Sequence, residues 1–212
     1  MTPPRARRPA GDGAAGSTNL LAGHLHFSPD SGHIQLFDQR MLLMHASSFA
    51  EMRRELIDAL GAGKARELLT RLGYQQGLED GRRVRGLGVS DLDVSLALGP
   101  RLREIEGFVR NRPVEAMRCD MERGEFFGNY LWTASWEAQA HLAQCGVSGA
   151  PACWIMAGYA DGYCTAVTGM PIHWREVECA AMGHAHCRVI GRPLAEWSRL
   201  DGEAGRDAAD TR

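Results

Sequence analysis

The sequence lacks the features that place a protein in a membrane or on a nucleic acid. No uninterrupted apolar run approaches the ~20 residues that a transmembrane helix needs, and no apolar signal core follows the arginines near the amino terminus. The formal net charge of -2 shows no basic excess of the kind that dedicated nucleic-acid binders carry. We therefore expect a cytoplasmic protein with no membrane partner and no direct nucleic-acid contact by this segment.

Motifs of the common enzyme classes are also missing. The sequence has no HExxH motif, no cofactor fingerprint and no Ser-His-Asp order typical of hydrolases. It has no G-x4-G-K-[ST] loop, so these 212 residues do not carry a P-loop ATPase. With 44% hydrophobic residues, the chain is long enough for one ordinary domain with an appendage, or for two small lobes. We expect a binding or regulatory protein rather than an enzyme.

Six cysteines occur with neither a CxxC knuckle nor a dense short-range framework, which favours metal binding in a reducing compartment over a disulfide scaffold. Four candidate ligands follow the spacing C-x22-E-x2-C-x7-C: Cys153, Glu176, Cys179 and Cys187. A tetrahedral zinc ion takes four such ligands from a turn and a more distant element. The residues alone leave two alternatives open: His184 and His186 are rival ligands, and cysteines are common as small buried hydrophobes.

The first half of the chain predicts a tail, a hairpin and two helices. Residues 1–17 are rich in Pro, Arg, Gly and Ala, which predicts disorder. Alternating apolar residues flank a Ser-Pro-Asp-Ser-Gly turn and predict a β-hairpin. Ser47 or Ser48 is positioned to cap a helix that ends near Gly61, and a second helix is expected over 65–82.

The second half predicts a mixture of helices and strands. We expect a helix over 89–98 that a Gly-Pro pair ends, broken strands over 101–121, and then a helix carrying Trp132 and Trp136. The stretch 153–187 predicts one helix and a pair of strands. The fold class is therefore α+β, in four parts: a disordered tail (1–17), an amino-terminal hairpin and helical lobe (18–86), a mixed lobe with the candidate zinc ligands (87–197) and a linker (198–212).

Several stretches carry a resemblance to a known family: PACWIMAGYADGY, REVECAAMGHAHCRVIGRPLAEW, LLTRLGYQQG and LALGPRL. Over most of 37–197 the chain resembles the sensor region, with its 4-vinyl reductase-type domain, of aromatic-responsive sigma-54-dependent transcriptional activators. The resemblance implies a structural zinc ion next to the effector pocket, bound by Cys153, Glu176, Cys179 and Cys187. It also implies a homodimer formed by the amino-terminal region. Full-length members continue into an ATPase domain and a helix-turn-helix, and neither is present here.

The resemblance implies a sensor that binds a small aromatic effector and relieves the repression of an attached ATPase, which activates aromatic catabolism genes. Phenol-sensing members carry a histidine where we align Glu104, and it binds the hydroxyl together with a tryptophan that matches Trp132. A carboxylate facing an apolar pocket must protonate, turn outward, or pair with an arginine such as Arg103 or Arg118. We therefore expect a benzene, toluene or xylene type of effector rather than phenol. The expected effector-binding residues are Tyr130, Trp132, Glu104, Phe108, Tyr159 and Trp174.

Three alternatives are weaker but stay open at this point. The first is a phenol-type sensor, and the second is a zinc-dependent enzyme. The four-ligand zinc site disfavours an enzyme, because catalytic zinc keeps a position open for water. The third is a purely structural dimerisation module, which predicts that no small molecule stabilises the fold.

Overall fold

The computed structural model describes residue 21 and residues 23–210, with side chains up to residue 203. The predicted disordered tail lies outside these described residues. By its internal contacts the chain divides into two compact units between Leu43 and Met44, whereas the expected boundary after residue 86 stays a prediction. Every helix in the described part of the chain is too short or too polar to span a bilayer.

The first unit is a small antiparallel sheet. Its three strands lie in the order β1-β2-β3: β1 (Leu25–Ser28), β2 (His33–Leu36) and β3 (Gln39–Met41). The predicted hairpin is confirmed, since β1 pairs with β2 from Leu25↔Leu36 to Ser28↔His33. Gly32 adopts a φ of 67° in the connecting turn, a left-handed conformation that glycine takes without steric cost.

The second unit packs helices against a second antiparallel sheet, which confirms the α+β class. Its α-helices are α1 (Ala46–Gly86), α2 (Leu92–Ile105), α3 (Trp136–Cys145), α4 (Trp154–Thr168) and α5 (Leu194–Asp210). Its strands are β4 (Arg110–Pro113), β5 (Arg118–Asp120), β6 (Glu125–Thr133), β7 (Ile172–Glu178) and β8 (Cys187–Pro193). The order is β4-β6-β8-β7, with β5 paired to β6 off this path. The stretch 153–187 thus contains one helix and one strand, and the second expected strand begins only at its last residue, Cys187.

Helices α1 and α4 cross in backbone-to-backbone contact. The contact depends on four glycines: Gly73 and Gly77 of α1, and Gly158 and Gly162 of α4. A Cβ atom added at any of the four would lie 2.0 or 2.1 Å from a carbonyl oxygen of the opposite helix. Only glycine permits so close an approach, and it fixes α4 firmly against α1.

Helix α1 confirms the predicted break but not the predicted cap. Gly61 has φ 77° and ψ 154°, which are not helical, so α1 consists of two helical segments joined at a kink. The N-cap is His45, which makes no side-chain capping hydrogen bond. The prediction of Ser47 or Ser48 as the cap is wrong, because both serines lie inside the first turn.

Helix α2 continues through the Gly-Pro pair that was expected to end it. Asp91 caps the helix by accepting hydrogen bonds from the backbone amides of Asp93 and Val94. Pro100 lies inside the helix, where its ring removes the amide that would bond to the Leu96 carbonyl. Leu102, two residues further on, is fully buried, and its burial offsets the cost of the proline.

One further expectation for the second half is wrong, and the linker over 198–212 stays a prediction. Trp132 lies on strand β6, where it pairs with Asn111 of β4 and with Cys187 of β8. The helix that follows begins only at Trp136. The composition after residue 197 predicts a linker, yet α5 continues to Asp210. Its first turns dock on β7, since Trp197 donates a hydrogen bond to the His173 carbonyl at 2.8 Å.

Candidate functional site

A buried cluster of three thiols and one carboxylate lies where α4, β7 and β8 meet. Cys153 precedes α4, Glu176 lies on β7, Cys179 follows that strand, and Cys187 begins β8. The four potential ligand atoms all lie within 4.8 Å of one another, and the three cysteines are fully buried. The C-x22-E-x2-C-x7-C pattern therefore does converge on one point.

The dimensions of the cluster fit a tetrahedral zinc ion. A Zn–S bond of about 2.3 Å places the sulfur atoms of such a site about 3.8 Å apart. The Cys187 Sγ lies 3.6 Å from Cys153 Sγ and 3.9 Å from Cys179 Sγ. Oε2 of Glu176 accepts a hydrogen bond from the Cys153 amide at 3.0 Å, whereas its buried Oε1 has no partner among the described residues. That oxygen is available as the fourth ligand.

Backbone amides donate to two of the sulfur atoms of the cluster. The Ala152 amide donates to Cys179 Sγ at 3.4 Å, and the Ala180 amide donates to Cys187 Sγ at 3.3 Å. Such donors stabilise a thiolate. Burial raises the pKa of Glu176 to about 8. Four potential anions buried together need a cation to compensate them.

The two rival histidines lie beside the cluster rather than in it. Nδ1 of His184 lies 3.1 Å from the backbone carbonyl oxygen of Cys179 and 3.3 Å from its amide nitrogen. Nε2 of His186 lies 3.7 Å from a carboxylate oxygen of Glu178. Neither belongs to the group of side chains whose ligand atoms converge.

The start of α4 is held in place by a buried carboxylate. Glu137 of α3 is fully buried and accepts hydrogen bonds from the amides of Ile155 and Met156 at 3.0 and 2.9 Å. These amides are among those that a helix leaves without partners at its amino end. Glu137 therefore positions Cys153, a role that no sequence pattern indicated.

An apolar cavity of about 40 Å³ lies between α2, α4 and the sheet. Four of the expected effector-binding residues line it: Tyr130, Trp132, Tyr159 and Trp174. The rest of the lining comes from these residues: Leu96, Gly99, Pro100, Arg103, Asn111, Met117, Met156, Ala160, Tyr163 and Cys164. The aromatic wall predicted from the second half of the chain is thus present.

Trp174 occupies the centre of this aromatic wall. Its ring lies 5.9 Å from that of Tyr130 in an edge-to-face arrangement, a favoured geometry for aromatic pairs. The strands beneath it carry Gly128 and Gly191, where an added Cβ would lie 2.2 and 2.4 Å from the indole. These two glycines make room for the tryptophan ring.

Glu104 and Phe108 lie outside the lining of this cavity. Glu104 pairs with Arg101 and accepts a hydrogen bond from the Asn111 amide at 2.8 Å. The structure thus shows pairing with an arginine, although neither Arg103 nor Arg118 is the partner. Phe108 packs edge-on against Trp136 with ring centroids 5.8 Å apart. The geometry does not support a contact of either residue with a molecule in the cavity.

Arg103 is the charged lining residue that sequence reasoning missed. Its side chain is buried and forms ion pairs with Glu106 and, at 3.6 Å, with Asp80. The guanidinium lies 3.8 Å from the centre of the Tyr159 ring and 4.5 Å from that of Phe108. Position 103 follows Leu96 by seven residues, so a continuous helix places both on one face. This seven-residue spacing is the sequence signal that could have placed Arg103 in the cavity wall.

Comparison with known proteins identifies the family. Two family models match: one described as an activator of aromatic catabolism over residues 21–120, and the 4-vinyl reductase-type domain over residues 132–193. The crystal structure of the phenol-responsive sensory domain of the transcription activator PoxR with phenol matches with a TM-score of 0.85. It is 36% identical in sequence and covers 93% of this chain and 98% of that chain. The chain belongs to the sensor domains of aromatic-responsive transcriptional activators.

Two curated relatives of this sensor domain are regulators. The phenol regulator MopR of Acinetobacter guillouiae is 36% identical over 183 residues, and the transcriptional regulatory protein XylR of Pseudomonas putida is 35% identical over 179 residues. The alignments cover 85% and 84% of the sensor domain but only 32% and 31% of the relatives. The chain therefore spans about a third of their length. The expectation of a regulatory protein rather than an enzyme is confirmed.

The cavity and the thiol cluster of the sensor domain are directly connected through the backbone. Trp132 of the cavity wall is paired with Cys187 across β6 and β8. On α4, Met156 of the cavity wall lies three residues after Cys153. One strand pair and one helix therefore carry residues of both sites.

Proposed function

We propose that this sensor domain binds a small aromatic effector in the cavity between α2, α4 and the sheet. The observation that carries the proposal is an apolar cavity walled by Tyr130, Trp132, Tyr159 and Trp174 in a chain of this family. An apolar ring gains free energy there by leaving water and by stacking against these side chains. In the full-length activator, occupancy of the cavity would relieve the repression of an attached ATPase.

The ring enters a cavity that must widen to receive it. A volume of about 40 Å³ exceeds the ~10–15 Å³ that one water molecule needs, but it is small for a six-membered ring. Part of the binding free energy is therefore spent on moving the walls apart. For about seven heavy atoms, the ligand-efficiency ceiling of about -1.5 kcal/mol per atom caps the binding free energy at roughly -10 kcal/mol, or tens of nanomolar, and the cost of widening the cavity weakens binding below this cap.

Two chemical classes of effector compete for this cavity. Hydrocarbons such as benzene, toluene and xylene are expected if no polar group faces the ring. This expectation came from the sequence, where Glu104 aligns with the histidine that binds the hydroxyl in phenol-sensing members. Phenols are the second class, because MopR is named a phenol regulator and the PoxR domain is described with phenol. Isothermal titration with toluene, benzene and phenol tests the proposal. Binding of none of them, together with no thermal stabilisation, would contradict both of these classes of effector.

We also propose that Cys153, Glu176, Cys179 and Cys187 hold a structural zinc ion. The support is the fit of the sulfur separations and the unpartnered Glu176 oxygen. Four protein ligands close the coordination sphere, so the ion would crosslink α4, β7 and β8 rather than activate water. When bound, it supplies a divalent charge that compensates the buried thiolates.

The sensor domain is proposed to act as a homodimer. Large apolar side chains remain exposed on α1, including Met52 at 44%, Leu68 at 40% and Leu72 at 42%. Leu68 and Leu72 lie four residues apart and therefore share one face of the helix. Covering this face with a second copy would remove apolar surface from water.

A further inference from the structure

Arg103 places hydrogen-bond donors without partners at the cavity. The residue is only 3% exposed and lines the cavity wall. Its Nη2 atom faces the carboxylates of Glu106 and Asp80. Its Nε and Nη1 atoms are buried and have no hydrogen-bond partner among the residues that the structure describes. A buried donor without an acceptor costs free energy that a suitable ligand can recover.

A second donor without a good partner faces the same space. The indole nitrogen of Trp174 is buried and has no oxygen or nitrogen acceptor among the described residues. Its neighbour is the Cys164 sulfur, whose pKa it lowers against the larger effect of burial, and a thiol is only a weak acceptor. The buried nitrogens of the cavity lining that have no oxygen or nitrogen acceptor among the described residues, on Arg103 and Trp174, are thus all hydrogen-bond donors.

Three other polar side chains of the lining have partners. The Tyr159 hydroxyl donates to Asp80 at 3.1 Å, and the Tyr163 hydroxyl donates to the Ser95 carbonyl at 2.6 Å. The Asn111 side-chain amide donates to the Pro100 carbonyl at 2.9 Å. Among the described residues of the lining, no fully buried side-chain acceptor is left without a partner.

We propose that Arg103 selects aromatic effectors whose ring substituent only accepts hydrogen bonds, such as a carboxylate or a carbonyl group. This inference rests on the proposed function, because it specifies the ligand of the same cavity. A methyl group, as in toluene, leaves the Arg103 donors unpaired. A phenol accepts from the guanidinium but brings an O–H that needs an acceptor of its own, which a guanidinium cannot supply. An aldehyde or a carboxylate has no such requirement.

The carboxylates around Arg103 affect whether an anionic or a neutral acceptor binds more tightly. Glu106 and Asp80 both lie beside the guanidinium and share its positive charge. A carboxylate ligand would compete with them, whereas an aldehyde would not. Benzoate and benzaldehyde share the acceptor chemistry, and toluene is the apolar molecule of similar shape, so this series separates hydrogen bonding from charge.

Isothermal titration of the intact chain with toluene, benzaldehyde, benzoate and phenol tests the inference. We expect benzaldehyde, benzoate or both to bind at least tenfold more tightly than toluene and more tightly than phenol. In a double variant, Arg103→Met with Glu106→Gln, the preference for these acceptors over toluene should vanish. Replacing both members of the pair avoids leaving a buried charge unpaired. Arg101→Met, on the same helix but outside the cavity lining, is the matched control and should keep the preference.

The outcomes separate the inference from the proposed function. Toluene or phenol binding as tightly as both acceptors, or a preference that survives in the double variant, would overturn the role of Arg103 and leave an aromatic sensor. Failure of all four compounds to bind would overturn the proposed function itself. If circular dichroism shows that the double variant does not fold, Arg103→Lys replaces it, because lysine retains the positive charge and hydrogen-bond donors. The order of ligand affinities in the wild-type protein then still tests the inference.

Discussion

The glycine contact between α1 and α4 predicts a large and unusual effect of adding one methyl group. In Gly77→Ala, the new Cβ would lie 2.1 Å from the Tyr159 carbonyl oxygen, whereas real Cβ atoms essentially never approach within 3.0 Å. The two backbones must therefore separate by about 1 Å. Such overpacking typically costs about 1–3 kcal/mol. It opposes the gain of about 1 kcal/mol that alanine brings over glycine inside a helix.

Gly63→Ala is the matched control, because Gly63 lies in the same helix and no atom lies within 4 Å of its added Cβ. The control should be more stable than the wild type by up to about 1 kcal/mol, and Gly77→Ala should be less stable than the wild type by up to about 2 kcal/mol. The two variants then differ by about 1–3 kcal/mol, and since 1 kcal/mol shifts the melting temperature of a domain of this size by about 2–4 °C, their melting temperatures should differ by roughly 2–12 °C. Thermal and urea unfolding followed by circular dichroism measure this. Equal stability of the two variants would refute the close helix contact.

Three further predictions concern the metal, the assembly and pH. Metal analysis should find about one zinc ion per chain. Cys187→Ala should unfold the α4–β8 region, because structural zinc sites contribute about 10–16 kcal/mol to folding. Well-folded protein without zinc would contradict this prediction. Light scattering should show a dimer that Leu68→Glu with Leu72→Glu converts to monomer, and a dimer that persists in this variant would refute the α1 interface. Burial raises the pKa of Glu137 from 4.5 to about 7. Between these pH values the folded state therefore binds more protons than the unfolded state. The free energy of unfolding should then fall as the pH rises from about 5 to 7. Glu137→Gln should flatten that slope in urea titrations, and an unchanged slope would exclude Glu137 as its source.

The cluster of three thiols and one carboxylate was predictable from the sequence to the level of individual residues, although the decisive step came from the family resemblance. Spacing alone left His184 and His186 as rivals of the cysteines. Cysteines separated by a short turn meet again because β7 and β8 are adjacent antiparallel strands. The approach of Cys153 depends on tertiary packing, namely the glycine contact and the Glu137 carboxylate. No local pattern encodes that packing.

The effector pocket was predictable in its aromatic residues but not in its charge. Gly99-Pro100 predicts the end of a helix, so residues 101–121 were interpreted as strands, in which alternate residues share a face. In the structure α2 continues to Ile105, and helical spacing brings Arg103 rather than Glu104 to the face that carries Leu96. The burial of Leu102 overrode the local preference of proline. The expectation of a hydrocarbon effector had rested on Glu104, which lies outside the cavity lining, and not on Arg103, which lies in it.

Pro100 also decides which wall of the cavity yields when a ring enters. Helix α4 cannot retreat, because its backbone already touches α1, and β6 is held between β4 and β8. Helix α2 lacks one internal hydrogen bond at its proline, in the segment between Leu96 and Arg103 that forms its side of the cavity. The proline therefore makes α2 the compliant wall, and the direction in which the sensor domain expands is set by one missing amide hydrogen.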